Sequence, residues 1–122
     1  MAVIGIGVDL VDIARFERQL SRTPRLRDRL FAPDELVQAG RPLPLRSLAG
    51  RFAAKEALVK ALGDSYEFGW QDIPVLTGPE RGPAFSPRGP AAERVARLGV
   101  TSISLSISHD AGLALAFVVA EG

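Results

Sequence analysis

The stretch "TSISLSISHDAGLALAFVVA", residues 101–120, leaves little freedom in how it folds. Within residues 101–108, hydroxyl and aliphatic side chains alternate without a fault from Ser102 to Ser108, the period-two signature of a strand with one apolar and one polar face. Residues 112–120 form a second, more buried strand, and "HDAG" between them reads as a hairpin turn. A lone hairpin is marginal in water, so further strands or a helix must cover its apolar face.

The rest of the chain supplies them. Residues 2–11 alternate as a strand, with Ile4, Ile6, Val8 and Leu10 on one face and Gly5, Gly7 and Asp9 on the other. A helix begins near Asp12, whose carboxylate suits an N-cap, and runs to about Leu20. Pro33, with Asp34 and Glu35 behind it, opens a second short helix that Gly40, Pro42 and Pro44 close. A third helix covers 46–62 and stops at Gly63. The segment 77–90 holds four of the nine prolines and reads as a loop with at most a short edge strand. A helix over 90–98 ends at Gly99. This order predicts an α+β fold of β-α-α-α-β-β type, a small, mostly antiparallel sheet packed with helices. A chain of 122 residues fits one domain, 1–122.

Net charge is +1, so bulk charge draws the protein neither to nucleic acid nor to a membrane. There is no cysteine, hence no disulfide, thiolate nucleophile or cysteine metal site. The first ten residues lack a basic n-region, Asp9 interrupts their apolar run, and no stretch approaches the length of a membrane span. A cytoplasmic protein is expected. The charge is uneven, however. Residues 15–29 carry six arginines against Glu17 and Asp28, a local net of +4 that suggests an acidic partner. The strip offers only Phe16 and Phe31 for stacking, which argues against a nucleic-acid module.

Two placements invite chemistry. Asp9 stands inside an apolar strand, where a carboxylate needs a counter-charge, a metal or backbone N–H partners. The glycines on its face either leave room for a ligand or allow tight packing. "RFAAKEALVK", residues 51–60, sets Phe52, Lys55, Glu56, Val59 and Lys60 opposite a packing face of Ala53, Ala54, Ala57, Leu58, Ala61 and Leu62. Glu56 and Lys60, four apart, suit an ordinary surface ion pair. Asp9 and Glu56 also suit Mg²⁺, which takes one or two carboxylates and completes its shell with water and phosphate. "GIGVDL" lacks the third glycine of a dinucleotide fingerprint, and "KALGDS" is not a P-loop. His109, the single histidine, closes the alternating strand and is either a turn residue or a functional one.

"GIGVDLVDIARF", "RLFAPDEL", "LAGRFAAKEALVKALG" and "SISHD" together resemble the holo-acyl-carrier-protein synthase family of small phosphopantetheinyl transferases. The four blocks stand in that family's order at compatible spacing across essentially the whole chain. The resemblance implies transfer of 4′-phosphopantetheine from coenzyme A to a serine of an acidic acyl carrier protein, with release of adenosine 3′,5′-bisphosphate, a step of fatty-acid and lipid biosynthesis. It implies a homotrimer with sites in clefts between protomers.

The family's metal-binding residues match Asp9 and Glu56, for Mg²⁺ with Mn²⁺ as an alternative. Its lysine matches Lys60, its coenzyme-side histidine matches His109, and its carrier-protein arginine matches Arg15. Arg18 and Arg22 extend Arg15 along one side of the helix as a docking line. Arg51 and Lys55 are candidates for the nucleotide's other phosphate, while Glu35, Asp9 and a metal-bound water are candidates for the base. In one place the chain departs from the family: residues 63–70 read "GDSYEFGW" in place of a Thr-Gly-hydrophobic-Gly loop.

Overall fold

The computed structural model describes residues 1–64 and 67–122. Strand β1 (Val3–Asp12) runs directly into helix α1 (Ile13–Arg22), where the Asp12 carboxylate accepts from the Arg15 N–H at 3.0 Å and caps the first turn. A short helix α2 (Leu26–Leu30) follows within the arginine-rich segment. The helix expected from Pro33 is a single 3₁₀ turn, Pro33–Glu35. Beyond it Ala39 and Gly40 both adopt positive φ and fold the chain into a miniature hairpin, β2 (Val37–Gln38) with β3 (Arg41–Pro42).

Helix α3 (Leu45–Ala61) comes next, then a 3₁₀ turn (Trp70–Asp72). The proline-rich segment overlaps a second small hairpin, β4 (Val75–Thr77) with β5 (Pro83–Phe85). Helix α4 (Gly89–Arg97) leads to the long hairpin of β6 (Ser102–Asp110) and β7 (Leu113–Glu121). Its turn is only Ala111 and Gly112, both at positive φ, so His109 and Asp110 belong to the strand.

The main sheet has the order β1-β7-β6 and is antiparallel throughout. Registers Gly7↔Val118↔Leu105 and Asp9↔Ala116↔Ile107 define one face, and α3 lies against it. Glycine is required there. A Cβ on Gly7 would stand 1.7 Å from the Ala57 carbonyl oxygen, and one on Gly5 1.8 Å from that of Ala61. Of the two readings the sequence left open, the glycines serve close packing: helix backbone fills the space beside Gly5 and Gly7. The aliphatic set Ile6, Val8 and Leu10 points to the opposite face, which is exposed.

Helix α3 is buried on nearly all sides. Between Leu48 and Leu62 only Lys60 is exposed, with Phe52 and Glu56 half-buried. The expected division into a packing face and a charged face is therefore corrected. Lys55 and Val59 are as buried as the alanines, because α2, the two 3₁₀ turns and β4 cover the side of α3 away from the sheet.

Candidate active site

Asp9 emerges from β1 where α3 crosses it, and the helix brings two charged groups to meet it. Lys60 Nζ lies 3.2 Å from Asp9 Oδ1 and donates to the Val8 carbonyl at 2.9 Å. The spacing also allowed a surface pair of Lys60 with Glu56; the structure pairs Lys60 with Asp9 instead, because β1 runs beneath that stretch of the helix. Glu56, one turn earlier on α3, shares with Asp9 the lining of a cavity of about 600 Å³. Burial raises the Glu56 pKa, and the adjacent Asp9 charge raises it further against the pull of Lys60. Two hard-oxygen acids face one open space, and a cation pairs with one of them.

The cavity wall is apolar on one side, with Phe16, Leu30 and Phe52, and basic on the other, with Arg15 and Arg22. Arg18, expected on the same line, is exposed but does not line the cavity. The residues of α1 that do are 15, 16, 19 and 22, an ordinary helical stripe that leaves position 18 to one side.

Lys55 is not at this site. Its Nζ is fully buried, 2.5 Å from Glu35 Oε1, and donates to the carbonyls of Leu30 at 2.7 Å and Trp70 at 2.8 Å. All three of its protons have acceptors, so none is free for a phosphate. Burial pulls its pKa down and the Glu35 carboxylate opposes that pull. Glu35 also accepts the Ala32 and Val75 N–H groups, each at 2.8 Å, and is wholly enclosed. It is excluded as the base. Arg51 is nearly buried too, and donates to the Glu35 carbonyl and to Thr77 Oγ1, both at 2.9 Å.

His109 lies across the sheet. Its neighbour in register is Ala114 on β7, which in turn faces Val11 on β1, so His109 and Asp9 occupy opposite sheet edges, two strand spacings or about 10 Å apart before stagger. Helix α3 stands between them. A ring nitrogen, Nε2, donates to the Arg46 carbonyl at 3.0 Å, and the ring packs against Gly50, where a Cβ would come within 2.9 Å of it. His109 instead joins Arg51, Ser47 and Thr77 around a second cavity of about 270 Å³.

One chain thus presents two groups, Asp9–Glu56–Lys60 with Arg15 and Arg22, and His109 with Arg51. Sequence reasoning did not single out Thr77, which holds Arg51, because its recognition depends on a contact 26 positions away. The atypical loop at 63–70 falls partly outside the described residues, at Ser65 and Tyr66.

The 4′-phosphopantetheinyl transferase superfamily model matches residues 5–118, which include every one of these groups. The chain belongs to this superfamily. A holo-[acyl-carrier-protein] synthase of Clavibacter michiganensis is 58% identical over 118 residues, covering 97% of this chain and 95% of the relative. That of Streptomyces avermitilis is 48% identical over 123 residues with both chains covered in full. Among solved structures, the holo-[acyl-carrier-protein] synthase of Neisseria meningitidis superposes with a TM-score of 0.86 at 35% identity, covering 99% of this chain and 100% of that one. The Helicobacter pylori enzyme, solved in complex with coenzyme A, gives 0.82 at 36% identity over 95% and 99%. The α+β architecture read from the sequence is the architecture of these superfamily members.

Proposed function

We propose that the protein transfers the 4′-phosphopantetheine group of coenzyme A to a serine of an acidic acyl carrier protein. The observation that carries this reading is the convergence of Asp9 and Glu56 on one cavity of a superfamily member, with Lys60 paired to Asp9 beside it. The serine oxygen forms a bond to the phosphorus bearing pantetheine, and the bond from that phosphorus to the departing adenosine 3′,5′-bisphosphate breaks. Such a reaction asks for positioning and charge neutralisation more than covalent participation.

The donor set fits Mg²⁺ or Mn²⁺. Two carboxylates share a wall, and the charge of one raises the pKa of the other, an arrangement that a hard divalent cation relieves. Among the described residues no third acidic or imidazole ligand joins them, consistent with a shell completed by water and substrate phosphate. Bound there, the ion supplies charge neutralisation at the pyrophosphate. Lys60, half-exposed beside Asp9, adds its ammonium to the same phosphates. Arg15 and Arg22 attract the acidic helix of the carrier protein to the cavity mouth.

Two features support a homotrimer with shared sites. The outer sheet face exposes Ile6, Val8, Leu10, Leu115 and Phe117 as a continuous apolar strip, the kind of patch that marks an interaction surface. The two functional groups lie at opposite sheet edges, which suits a head-to-tail ring in which Asp9 and Glu56 of one protomer meet His109 and Arg51 of the next. No helix among the described residues is long and apolar enough to cross a membrane, in keeping with a cytoplasmic role in lipid biosynthesis. The test is intact-mass analysis of an apo carrier protein incubated with coenzyme A, Mg²⁺ and this protein. A phosphopantetheine mass gain is expected, and no gain would defeat the reading.

A further inference from the structure

We infer that the buried Lys55–Glu35 pair positions the transfer site, by fixing the apolar wall of the Asp9–Glu56 cavity against helix α3. The inference rests on the functional reading above and adds residues that touch neither substrate. Lys55 directly precedes Glu56, but about 100° round α3 it points away from the cavity and binds three separate segments: the end of α2 at Leu30, the turn at Glu35 and the turn at Trp70. None of the three is a long element able to hold its own place. Helix α2 has five residues and each turn has three.

Two of these segments reach the cavity. Leu30 lines it directly. Trp70 sets its ring edge-on to Phe52, with centroids 5.6 Å apart, and Phe52 stacks on Phe16 at 5.4 Å; both phenylalanines line the same cavity. The path from Lys55 to the cavity therefore runs through contacts at every step. Glu35 extends the clamp to β4, through the Val75 N–H, and its main-chain oxygen holds Arg51 of the second cavity.

Stability alone does not account for this arrangement. Replacing a buried ion pair by neutral groups of similar volume is often neutral or stabilising, whereas removing one partner leaves a stranded charge. What a neutral core lacks is direction: charge-assisted hydrogen bonds fix distance and angle where apolar contacts tolerate sliding. Misplacement of a reacting group by about 1 Å costs on the order of a hundredfold in rate. The main-chain bond to Arg51 survives any change of the Glu35 side chain, so the two kinetic constants should separate.

The test compares wild type, Lys55→Met, Glu35→Gln and the double variant, each assayed well below its own melting midpoint. Expected are a lowered midpoint in Lys55→Met, substantial recovery in the double variant, and a kcat that stays at least tenfold down in both. KM for coenzyme A should change by less than about twofold, because Arg51 keeps its main-chain and Thr77 contacts. Trp70, the sole tryptophan, should shift its emission to the red in both as its anchor is lost. A folded double variant with wild-type kcat, or with unchanged Trp70 emission, overturns the inference. If the double variant does not fold, Glu35→Gln alone, which withdraws the negative partner from Lys55, should show the same tenfold loss of kcat at a nearly unchanged KM for coenzyme A, and a wild-type kcat there overturns the inference. Wild-type protein without transferase activity would sink the functional reading instead, and the Trp70 emission would then judge the positioning by itself.

Discussion

Burial and the Asp9 carboxylate both push the Glu56 pKa above its ordinary value of 4.5, and only Lys60 pulls it back. A carboxyl whose folded pKa is raised contributes stability below its unfolded pKa and loses it as pH rises through the folded one. At neutral pH the ionised Glu56 is thus a cost to the fold, as a residue kept for function can be. Glu56→Gln should therefore melt a few degrees higher than wild type at pH 7 without added metal, and lose transfer. Mg²⁺ should raise the melting midpoint of wild type and leave that of Glu56→Gln unmoved, since ligands stabilise only what binds them. A variant that melts lower and turns over normally would return Glu56 to the ordinary helix surface. Lys60→Ala gives the complementary pattern. Its pair with Asp9 is partly exposed, so stability should change by less than about 1 kcal/mol. Its kcat/KM for coenzyme A should fall about tenfold or more, read from steady-state kinetics beside a thermal melt.

Whole elements were legible where periodicity is set by the backbone and hidden where it is set by partners. The alternation of residues 102–108 specified β6, and Asp12 marked the start of α1, because pleat and N-cap are local rules. The clamp side of α3 was hidden. Lys55 and Arg51 count as polar in any periodic pattern, yet are buried because Glu35 and Thr77, 20 and 26 positions away, satisfy them. The hairpins β2–β3 and β4–β5 are two- and three-residue pairings with no pattern long enough to read. At the site, the nearness of Asp9 to Glu56 needed the fold, although the glycines already hinted at a close approach. Gly7→Ala tests that approach. The new methyl must displace the Ala57 carbonyl, 1.7 Å away, and with it the turn of α3 that carries Glu56. A loss of about 3 kcal/mol or more is expected in chemical denaturation. Transfer should fall even where the variant is fully folded. Wild-type stability would mean that α3 sits farther from β1 than this packing requires.

At the scale of the whole molecule, the geometry leaves one arrangement to test: whether the two functional groups act together within a chain or between chains. Within one chain the sheet separates Asp9 and His109 by two strand spacings, and α3 occupies the space between. A site using both within that chain would have to reach across α3. In a head-to-tail ring, each interface supplies Asp9 from one protomer and His109 from the next. Asp9→Ala and His109→Ala proteins, each nearly inactive alone, are unfolded together at equal amounts and refolded so that protomers assort at random. An interface is intact when the protomer giving Asp9 is the histidine variant and its neighbour is the aspartate variant, so about a quarter of interfaces regain both residues. Close to a quarter of wild-type activity should therefore return. A mixture as inactive as its parts would show that the site does not use Asp9 and His109 from different chains. Placing an aspartate at Phe117, in the middle of the exposed apolar strip, should block the recovery as well, because that residue is exposed and lies outside its own subunit's core cluster, so the protomer is expected to fold. Sedimentation of the Phe117→Asp protein should then report a monomer. A trimer with undiminished activity would place the contact between protomers elsewhere.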